Sequence, residues 1–318
     1  MSINDDLLYE IAKLYYLDNL NQSDISKQFG LSRAKVSRLL AKARERNIVT
    51  INLNRRNDDD VELLTEKIKE AFGLKNVLVV PSPSFDESEN LKALAAAAAP
   101  FFTSFMKDGD KIGVSWGYTL LEIAKNIPIS KFPNTSIVQI AGNLDNADNT
   151  NYAYDIVKQF GQRLEVSAQI TLPCPVIVES RIIVDLLSHD SKISSVLAQI
   201  NEIDIAFINI GLLSDDNCLH HTGYITSEDL EILKSKNSVG AVCSRFIDID
   251  GKIVDPSYDE RTISITFPVL QKARISCVAI SSEEKVLPLI GAIRAGTVNT
   301  LAVDTHTAKT LLQHASAK

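Results

Sequence analysis

The sequence predicts two domains of different class. Residues 1–56 are predicted to form an all-α, winged helix-turn-helix domain, and residues 57–318 an α/β domain with a doubly wound, mostly parallel sheet. Three observations support this division. Positive charge is concentrated near the N-terminus, apolar strands alternate with helical segments beyond residue 60, and a polar run, NDDD at 57–60, separates the two regions. A length of 318 residues also fits about two domains.

Charge is distributed unevenly along the chain. The formal net charge is −7 and the pI is near 5.3, yet residues 27–56 contain nine basic residues and a single acidic one, Glu45. A basic patch on an otherwise acidic protein is typical of a surface that binds nucleic acid. The N-terminal region is therefore the candidate for a DNA contact.

Residues 23–49 have the spacing of two helices joined by a sharp turn. Ile25 and Phe29 lie four apart on the first helix, and Gly30 suits the left-handed backbone of the turn. Ser32 is a good N-cap for the second helix. The apolar positions of that helix return at helical spacing, at Val36, Leu39, Leu40 and Ala43.

Flanking segments complete the predicted N-terminal domain. Residues 5–18 are predicted to form an earlier helix, which packs through Leu8, Ile11, Leu14 and Tyr15. The alternation of Val49, Ile51 and Leu53 predicts a strand, and Arg55 and Arg56 follow it. A strand in this position is the wing of a winged helix-turn-helix.

The second helix presents small and cationic residues on the face opposite its apolar positions. Such a face fits the major groove, where Ala34 can touch a thymine methyl and Arg38 can donate two hydrogen bonds to guanine. Phosphate contacts suit four other cations better: Arg33, Lys42, Arg44 and Arg46. The alternative is a solvated basic helix of a three-helix bundle. The predicted contacts to double-stranded DNA are Arg33, Ala34, Lys35, Ser37, Arg38 and Lys42.

The remainder of the chain alternates between strand and helix patterns. This alternation predicts a mostly parallel sheet with helices on both faces. Asp250-Gly251, between two alternating runs, predicts a hairpin. The principal predicted strands are 76–81, 111–116, 136–142, 203–211, 275–281 and 299–304.

The segment KIGVSWGYTLLEIA at 111–124 is a strand-to-helix junction, where folds of this class bind ligands. Ser115, Gly117 and Thr119 fall in the turn and at the helix start, and a helix N-terminus attracts anions. The junction predicts phosphate or polyol binding. A purely structural role for the glycine is the alternative.

Other segments are predicted to reach the same rim, at 139–143, 220–224 and 243–251. Gln139 and Asn143 suit sugar hydroxyls, whereas Arg245 and Lys285 suit a phosphate. The alternative for Arg245 is a salt bridge to Asp248 or another acid. His220 and His221 are adjacent, so their side chains diverge, and no metal pair is predicted.

Several long motifs resemble one bacterial family. They are LSRAKVSRLL, GDKIGVSWGYTL, IVQIAGN, GAVCSRFIDIDGKIVD and IGAIRAGTVNTLAVDTHTAKTLL. From about Leu8 to Leu312, the chain resembles the sugar-binding transcriptional regulators of the SorC type, typified by the sorbose-operon regulator and including deoxyribonucleoside regulators. The resemblance implies a DNA-binding domain joined to an effector domain with the phosphosugar isomerase/deaminase fold. It also implies a homo-tetramer and a sugar or sugar-phosphate effector.

The resemblance also assigns effector-binding positions. They are Ser115, Gly117, Thr119, Gln139, Asn143, Arg245, Asp248 and Lys285. The chain departs from the family at two places. Gly142-Asn143 stands where relatives often have Gly-Gly, and Ala141 stands where the deoxyribose-phosphate branch can have a lysine. Alanine cannot form an imine with an open sugar.

The expected function is a regulator, in the form of a repressor, of a carbohydrate or nucleoside catabolic operon. The alternative is a phosphosugar isomerase or deaminase with a DNA-binding arm, which needs a positioned base that the sequence does not reveal. No enzyme activity, cofactor, metal or membrane contact is expected. Four scattered cysteines and an acidic start without a signal peptide favour the cytoplasm.

Overall fold

The computed structural model describes residues 5–46, 48–49, 61–84, 86–144, 152–215 and 217–315. The chain divides into two compact units, residues 1–58 and 59–318. The strand predicted at Val49–Leu53 falls mostly on residues 50–53, and these lie outside the described residues together with Arg55 and Arg56.

Three helices make up the described part of the first unit: α1 (Asp5–Tyr16), α2 (Gln22–Gln28) and α3 (Arg33–Glu45). Gly30 has φ +62° in the turn between α2 and α3, the left-handed conformation that glycine adopts without strain. Ser32 caps α3 by accepting a hydrogen bond from the Lys35 amide at 3.2 Å. A small apolar core joins the helices, formed by Leu8, Ile11, Ala12, Ile25, Val36, Leu39, Leu40 and Ala43.

Strands of the second unit form two sheets. In chain order they are β1 (Asn76–Val80), β2 (Lys111–Val114), β3 (Ser136–Gln139), β4 (Ala168–Ile170), β5 (Ile205–Phe207), β6 (Ile210–Gly211), β7 (Gly240–Val242), β8 (Arg245–Ile247), β9 (Ile275–Ile280) and β10 (Thr300–Asp304). Among the described residues, a seven-stranded sheet has the order β1-β10-β9-β5-β2-β3-β4, and all its neighbouring pairs are parallel. The sheet β6-β7-β8 is antiparallel. The predicted parallel sheet is confirmed.

The main sheet is buried on both faces. Along β9, Cys277 and Ala279 join one apolar core, whereas Val278 and Ile280 join the other. The described helices of this unit are α4 (Val61–Phe72), α5 (Glu87–Thr103), α6 (Tyr118–Asn126), α7 (Tyr152–Arg163), α8 (Arg181–His189), α9 (Ser191–Ile200), α10 (Cys218–His221), α11 (Ser227–Ser235), α12 (Pro256–Asp259), α13 (Phe267–Lys272), α14 (Val286–Arg294) and α15 (Thr305–Ala315). Helices α5, α6 and α7 contribute to the first core, and α4, α9, α14 and α15 to the second.

The run predicted as one strand at 203–211 is divided between the two sheets. The Ile208 amide still donates to the Cys277 carbonyl of β9 at 3.0 Å. The next carbonyl, of Asn209, instead accepts from the Cys243 amide at 3.2 Å. The chain therefore leaves the main sheet at Asn209 and enters the small sheet as β6.

Two further local predictions have different outcomes. The segment 220–224 was predicted as a strand end, but it spans the end of helix α10, which begins after the N-cap Asn217. The hairpin at Asp250-Gly251 is confirmed, since Gly251 has φ +81° and Ile247 bridges Ile253 in antiparallel register.

We expect Gly142→Ala to destabilise the second unit. A Cβ at this position would lie 2.4 Å from the Pro175 carbonyl oxygen, and backbone cannot move aside cheaply. Overpacking of this kind costs about 1–3 kcal/mol. The control is Gly211→Ala, whose Cβ would meet its nearest atom at 3.6 Å. Urea unfolding measures both variants, and equal midpoints would contradict the packing described for Gly142.

Candidate functional site

A cavity lies at the edge of the main sheet where the parallel strands end. Its volume is about 440 Å³, and its walls include the segments that follow β2, β5 and β9. From β2 the chain continues to β3 and β4 in one direction, then returns to place β5 on the other side of β2. Such a reversal opens a crevice beyond the strand ends, the usual ligand position in this class of fold.

The N-terminus of α6 forms one wall. Gly117 is its N-cap, with φ +137°, and no side chain caps the helix. The amides of the first turn have no intrahelical acceptor and carry the positive end of the helix dipole. Tyr118 and Thr119 line the cavity beside Gly117. This wall can donate hydrogen bonds to an anion.

Lys285 supplies a cation to the same cavity. It is half-buried, and within the described residues its Nζ has no ion-pair partner. Burial lowers the pKa of Lys285, although charge interactions with Cys218 and Glu87 oppose the shift. A partly desolvated ammonium that forms no ion pair within the described residues favours an anionic ligand.

Two carboxylates also line the cavity, Glu87 at the start of α5 and Glu284 in a short 3-10 turn before α14. Both are exposed. Carboxylates accept hydrogen bonds from hydroxyl groups but repel an anion. The lining therefore combines an anion-attracting part with acceptors for hydroxyls.

Behind the α6 wall, Ser115 is fully buried and donates from Oγ to Asn209 Oδ1 at 2.7 Å. Asn209 lines the cavity, and its Cβ lies 3.8 Å from the place where a Cβ on Gly117 would be. Ser115 thus positions the Asn209 amide instead of lining the cavity itself.

The turn between β7 and β8 contributes Ser244 to the lining. Cys243 and Ser244 have φ of +46° and +69°, a conformation unusual for residues other than glycine. Burial raises the pKa of the Cys243 thiol to about 11, so the thiol stays neutral.

Three of the eight predicted effector residues line the cavity: Gly117, Thr119 and Lys285. Gln139 is buried, donating from Nε2 to Asn143 Oδ1 at 2.9 Å and accepting from the Leu172 amide at 3.1 Å. Gln139 and Asn143 thus hold the end of β3 and lie outside the cavity lining.

Arg245 and Asp248 also lie outside the lining. Arg245 is buried, pairs with Asp259, and donates to the carbonyls of Ile265 at 3.0 Å and Ser264 at 2.8 Å. Its acid partner is therefore Asp259, not Asp248. The Asp248 carboxylate accepts amide hydrogen bonds within the turn that follows β8.

In the first unit, the predicted DNA-contacting residues lie along α3 on the side away from the core. Five of them are exposed and Lys42 is half-buried, while Val36 and Leu39 face inward. Arg44 is exposed as well, but Arg46 pairs with Asp5 of α1 at 2.5 Å. The predicted DNA-contacting residues described above are Arg33, Ala34, Lys35, Ser37, Arg38 and Lys42.

Sequence reasoning overlooked Asn209, Cys218 and Ser244 as lining residues. Asn209 stood inside a run interpreted as one continuous strand, and Cys243-Ser244 lacks the Asn-Gly signature of a two-residue turn. The one available signal for Asn209 was a polar residue within an otherwise apolar run.

Nowhere in the described ranges do three His, Cys, Asp or Glu side chains cluster closely enough to hold a metal ion. Likewise, no described helix is both long and apolar enough to cross a bilayer.

Comparison with known proteins gives a consistent set of relatives. Residues 59–313 match the family described as "Putative sugar-binding domain". The chain is 30% identical over 306 residues to the deoxyribonucleoside regulator of Bacillus subtilis, covering 96% of this chain and 97% of the relative. It is 29% identical over 317 residues to the sorbitol operon regulator of Klebsiella pneumoniae, covering 98% and 100%. The crystal structure of full-length SorC from Klebsiella pneumoniae superposes with a TM-score of 0.73, at 27% identity and with 98% and 100% coverage.

The cavity chemistry predicts a pH dependence of anion binding. Sulfate keeps its charge at alkaline pH, so its affinity should follow the protonation of Lys285. Because the pKa of Lys285 is lowered, the loss of affinity should begin at a lower pH than the titration of an exposed lysine. Titration calorimetry between neutral and alkaline pH measures this.

Lys285→Met should bind sulfate about tenfold more weakly, as expected for one lost charge-assisted contact, and should lose the pH dependence. Lys272→Met, at an exposed lysine of α13, should keep the wild-type profile. A Lys285→Met protein with wild-type sulfate affinity would contradict the assignment.

Proposed function

The chain belongs to this sugar-binding domain family, and we propose that it is a DNA-binding transcriptional regulator controlled by a sugar or sugar-phosphate effector. The regulated genes form a carbohydrate or nucleoside catabolic operon, and the protein acts there as a repressor in the cytoplasm. The named relatives that extend over nearly the whole chain, a deoxyribonucleoside regulator and a sorbitol operon regulator, support this proposal.

The observation that carries the effector proposal is the ammonium of Lys285, which forms no ion pair within the described residues and lines the same cavity as the uncapped N-terminus of α6. Together they form a site for a phosphate group. Carboxylates and hydroxyl-binding groups on the same walls suit the hydroxyls of a sugar. A sugar phosphate satisfies both parts, and the volume of about 440 Å³ accommodates a molecule of that size.

For the DNA-binding part, the proposal rests on α2 and α3 as a helix-turn-helix with α3 as the recognition helix. The exposed cations and small side chains of α3 fit the major groove, and the tight turn at Gly30 sets the crossing of the two helices. The acidic remainder of the chain makes a second DNA surface unfavourable.

A homo-tetramer is part of the proposal. Helix α8 supports self-association because Ile182 and Leu186, four residues apart, are 70% and 69% exposed. Exposed apolar residues in one row on a helix are typical of an interface between chains.

The enzyme alternative is less well supported by the cavity. A general base must be held in position, and within the described residues neither Glu87 nor Glu284 has a hydrogen-bond partner for its carboxylate. Ala141, where an imine-forming lysine would stand, is fully buried and outside the lining. An assay with common phosphosugars tests the point, and turnover would overturn the regulator-only proposal.

We expect Arg38→Ala to weaken specific DNA binding more than non-specific binding. Arg38 lies on the exposed face of α3, and loss of a bidentate contact to a base costs about 1–3 kcal/mol. Fluorescence anisotropy compares an operator selected from random DNA by the wild-type protein with a scrambled fragment.

Arg44→Ala is the matched control, since Arg44 is exposed near the end of α3 and is expected to contact phosphate. This substitution should weaken binding to both DNAs equally. It should also reduce the magnitude of the slope of log affinity against log salt concentration by about one. Equal losses on both DNAs for Arg38→Ala would instead make Arg38 a phosphate contact.

Gly117→Val should abolish the response to effector while DNA binding persists. The valine side chain would occupy the space where ligand approaches the α6 N-terminus, and the mutant should remain locked in its effector-free state. Gly223→Val is the control, because Gly223 also has positive φ, +76°, but lies in open space outside the cavity. Anisotropy with sugar phosphates gives the readout, and a Gly117→Val protein with a normal response would contradict the site.

A further inference from the structure

Ser244 has a buried hydroxyl without a hydrogen bond in the described part of the chain. The residue is 3% exposed, and its Oγ has no hydrogen-bond partner among the described residues. Buried hydroxyls in native proteins are normally bonded, so an orphaned one requires an explanation. Ser244 is one of the residues that line the cavity, so a ligand bound there is a candidate partner for this hydroxyl.

The backbone around Ser244 is held in an unusual conformation. Two consecutive non-glycine residues, Cys243 and Ser244, have positive φ, which is unfavourable for L-residues. The flanking contacts maintain it, because the Cys243 amide donates to Asn209 O at 3.2 Å and Arg245 is fixed by its carbonyl and carboxylate partners. These contacts hold the backbone of Ser244 in place beside the cavity.

The side-chain amide of Asn209, which lines the same cavity, has an unused donor in the described structure. Its Oδ1 accepts from Ser115 Oγ, which orients the side-chain amide, and within the described ranges its Nδ2 has no acceptor. Asn209 is joined to the Cys243–Ser244 turn through its own carbonyl and borders Gly117 at the α6 N-terminus. The two polar groups therefore belong to connected parts of the same wall.

We propose that Ser244 and Asn209 form a hydroxyl-recognition subsite that distinguishes a polyhydroxyl phosphate from a plain phosphate or alkyl phosphate. This inference rests on the proposed effector function and deepens it. The anion is held by the α6 N-terminus and Lys285, while Ser244 Oγ and Asn209 Nδ2 contact the hydroxyl-bearing carbon chain. Serine can donate and accept, so it can bond to a hydroxyl in either direction.

The test compares phosphates with and without hydroxyl groups on wild-type protein and Ser244→Ala. Sorbitol 6-phosphate, fructose 6-phosphate and deoxyribose 5-phosphate serve as polyhydroxyl probes, with hexyl phosphate and inorganic phosphate as probes that lack the hydroxyls. In Ser244→Ala, the Kd of the best polyhydroxyl probe should rise about tenfold, the effect of one lost hydrogen bond at 1.4 kcal/mol per factor of ten. The Kd values of hexyl phosphate and inorganic phosphate should stay unchanged.

A ligand-free readout separates this role from a structural one. Since the Ser244 hydroxyl is unpartnered, Ser244→Ala should keep or raise the melting temperature of the free protein. Ser115→Ala, which removes a bonded buried hydroxyl, should lower it. Ser195→Ala, at an exposed position outside the cavity, should change neither melting nor binding.

The outcomes distinguish the two levels of the proposal. If Gly117→Val abolishes binding of a polyhydroxyl probe but Ser244→Ala binds it as tightly as wild type, the subsite is wrong and the effector site stands. Equal weakening of inorganic phosphate by Ser244→Ala would also overturn the subsite. If none of the polyhydroxyl probes binds the wild-type protein, the sugar-phosphate proposal and the subsite both fail.

Discussion

The strands of the main sheet run in one direction, and this constraint determines where a ligand can be held. Parallel pairing from β1 to β4 across the sheet places every carboxyl end at one edge. Each helix that follows a strand then begins at that edge with its free amides. The reversal at β2 and β5 separates two of these connections, so the cavity lies beside the start of α6. Chain direction thus supplies an electropositive wall before any charged side chain is considered.

Arg245 connects the small antiparallel sheet to the segment that bridges the end of β3. Its buried guanidinium binds carbonyls of the segment that also bridges Ala141, and the same residue begins β8 directly after the turn at Ser244. A planar group with five donors can hold several acceptors in fixed positions, which lysine cannot do. Arg245 therefore holds the segment of Ser264 and Ile265 and lies outside the cavity lining, while Lys285 is the one cation in the described lining.

The sequence predicted the parts of the fold that depend on strong local patterns. The apolar strands at 275–281 and 299–304, and the glycine at the start of α6, followed from periodicity and turn chemistry. Non-local pairing was harder to predict. Arg245 and Lys285 look equally suitable for a phosphate in sequence, and only the tertiary structure shows that Asp259 and backbone carbonyls occupy the arginine. Segment 168–200 contains a short strand and two helices that the hydrophobic pattern of the sequence did not predict.

Control by an effector requires that occupancy of the cavity change the affinity of the chain for DNA. Thermodynamic linkage makes this claim directly measurable, because the factor by which effector changes operator affinity must equal the factor by which operator changes effector affinity. Both factors can be measured with one protein preparation, by anisotropy for DNA and by calorimetry for the sugar phosphate identified in the binding panel. If cavity occupancy controls DNA binding, the two factors will be equal and clearly different from one. Tight binding of both ligands with factors of one would contradict it.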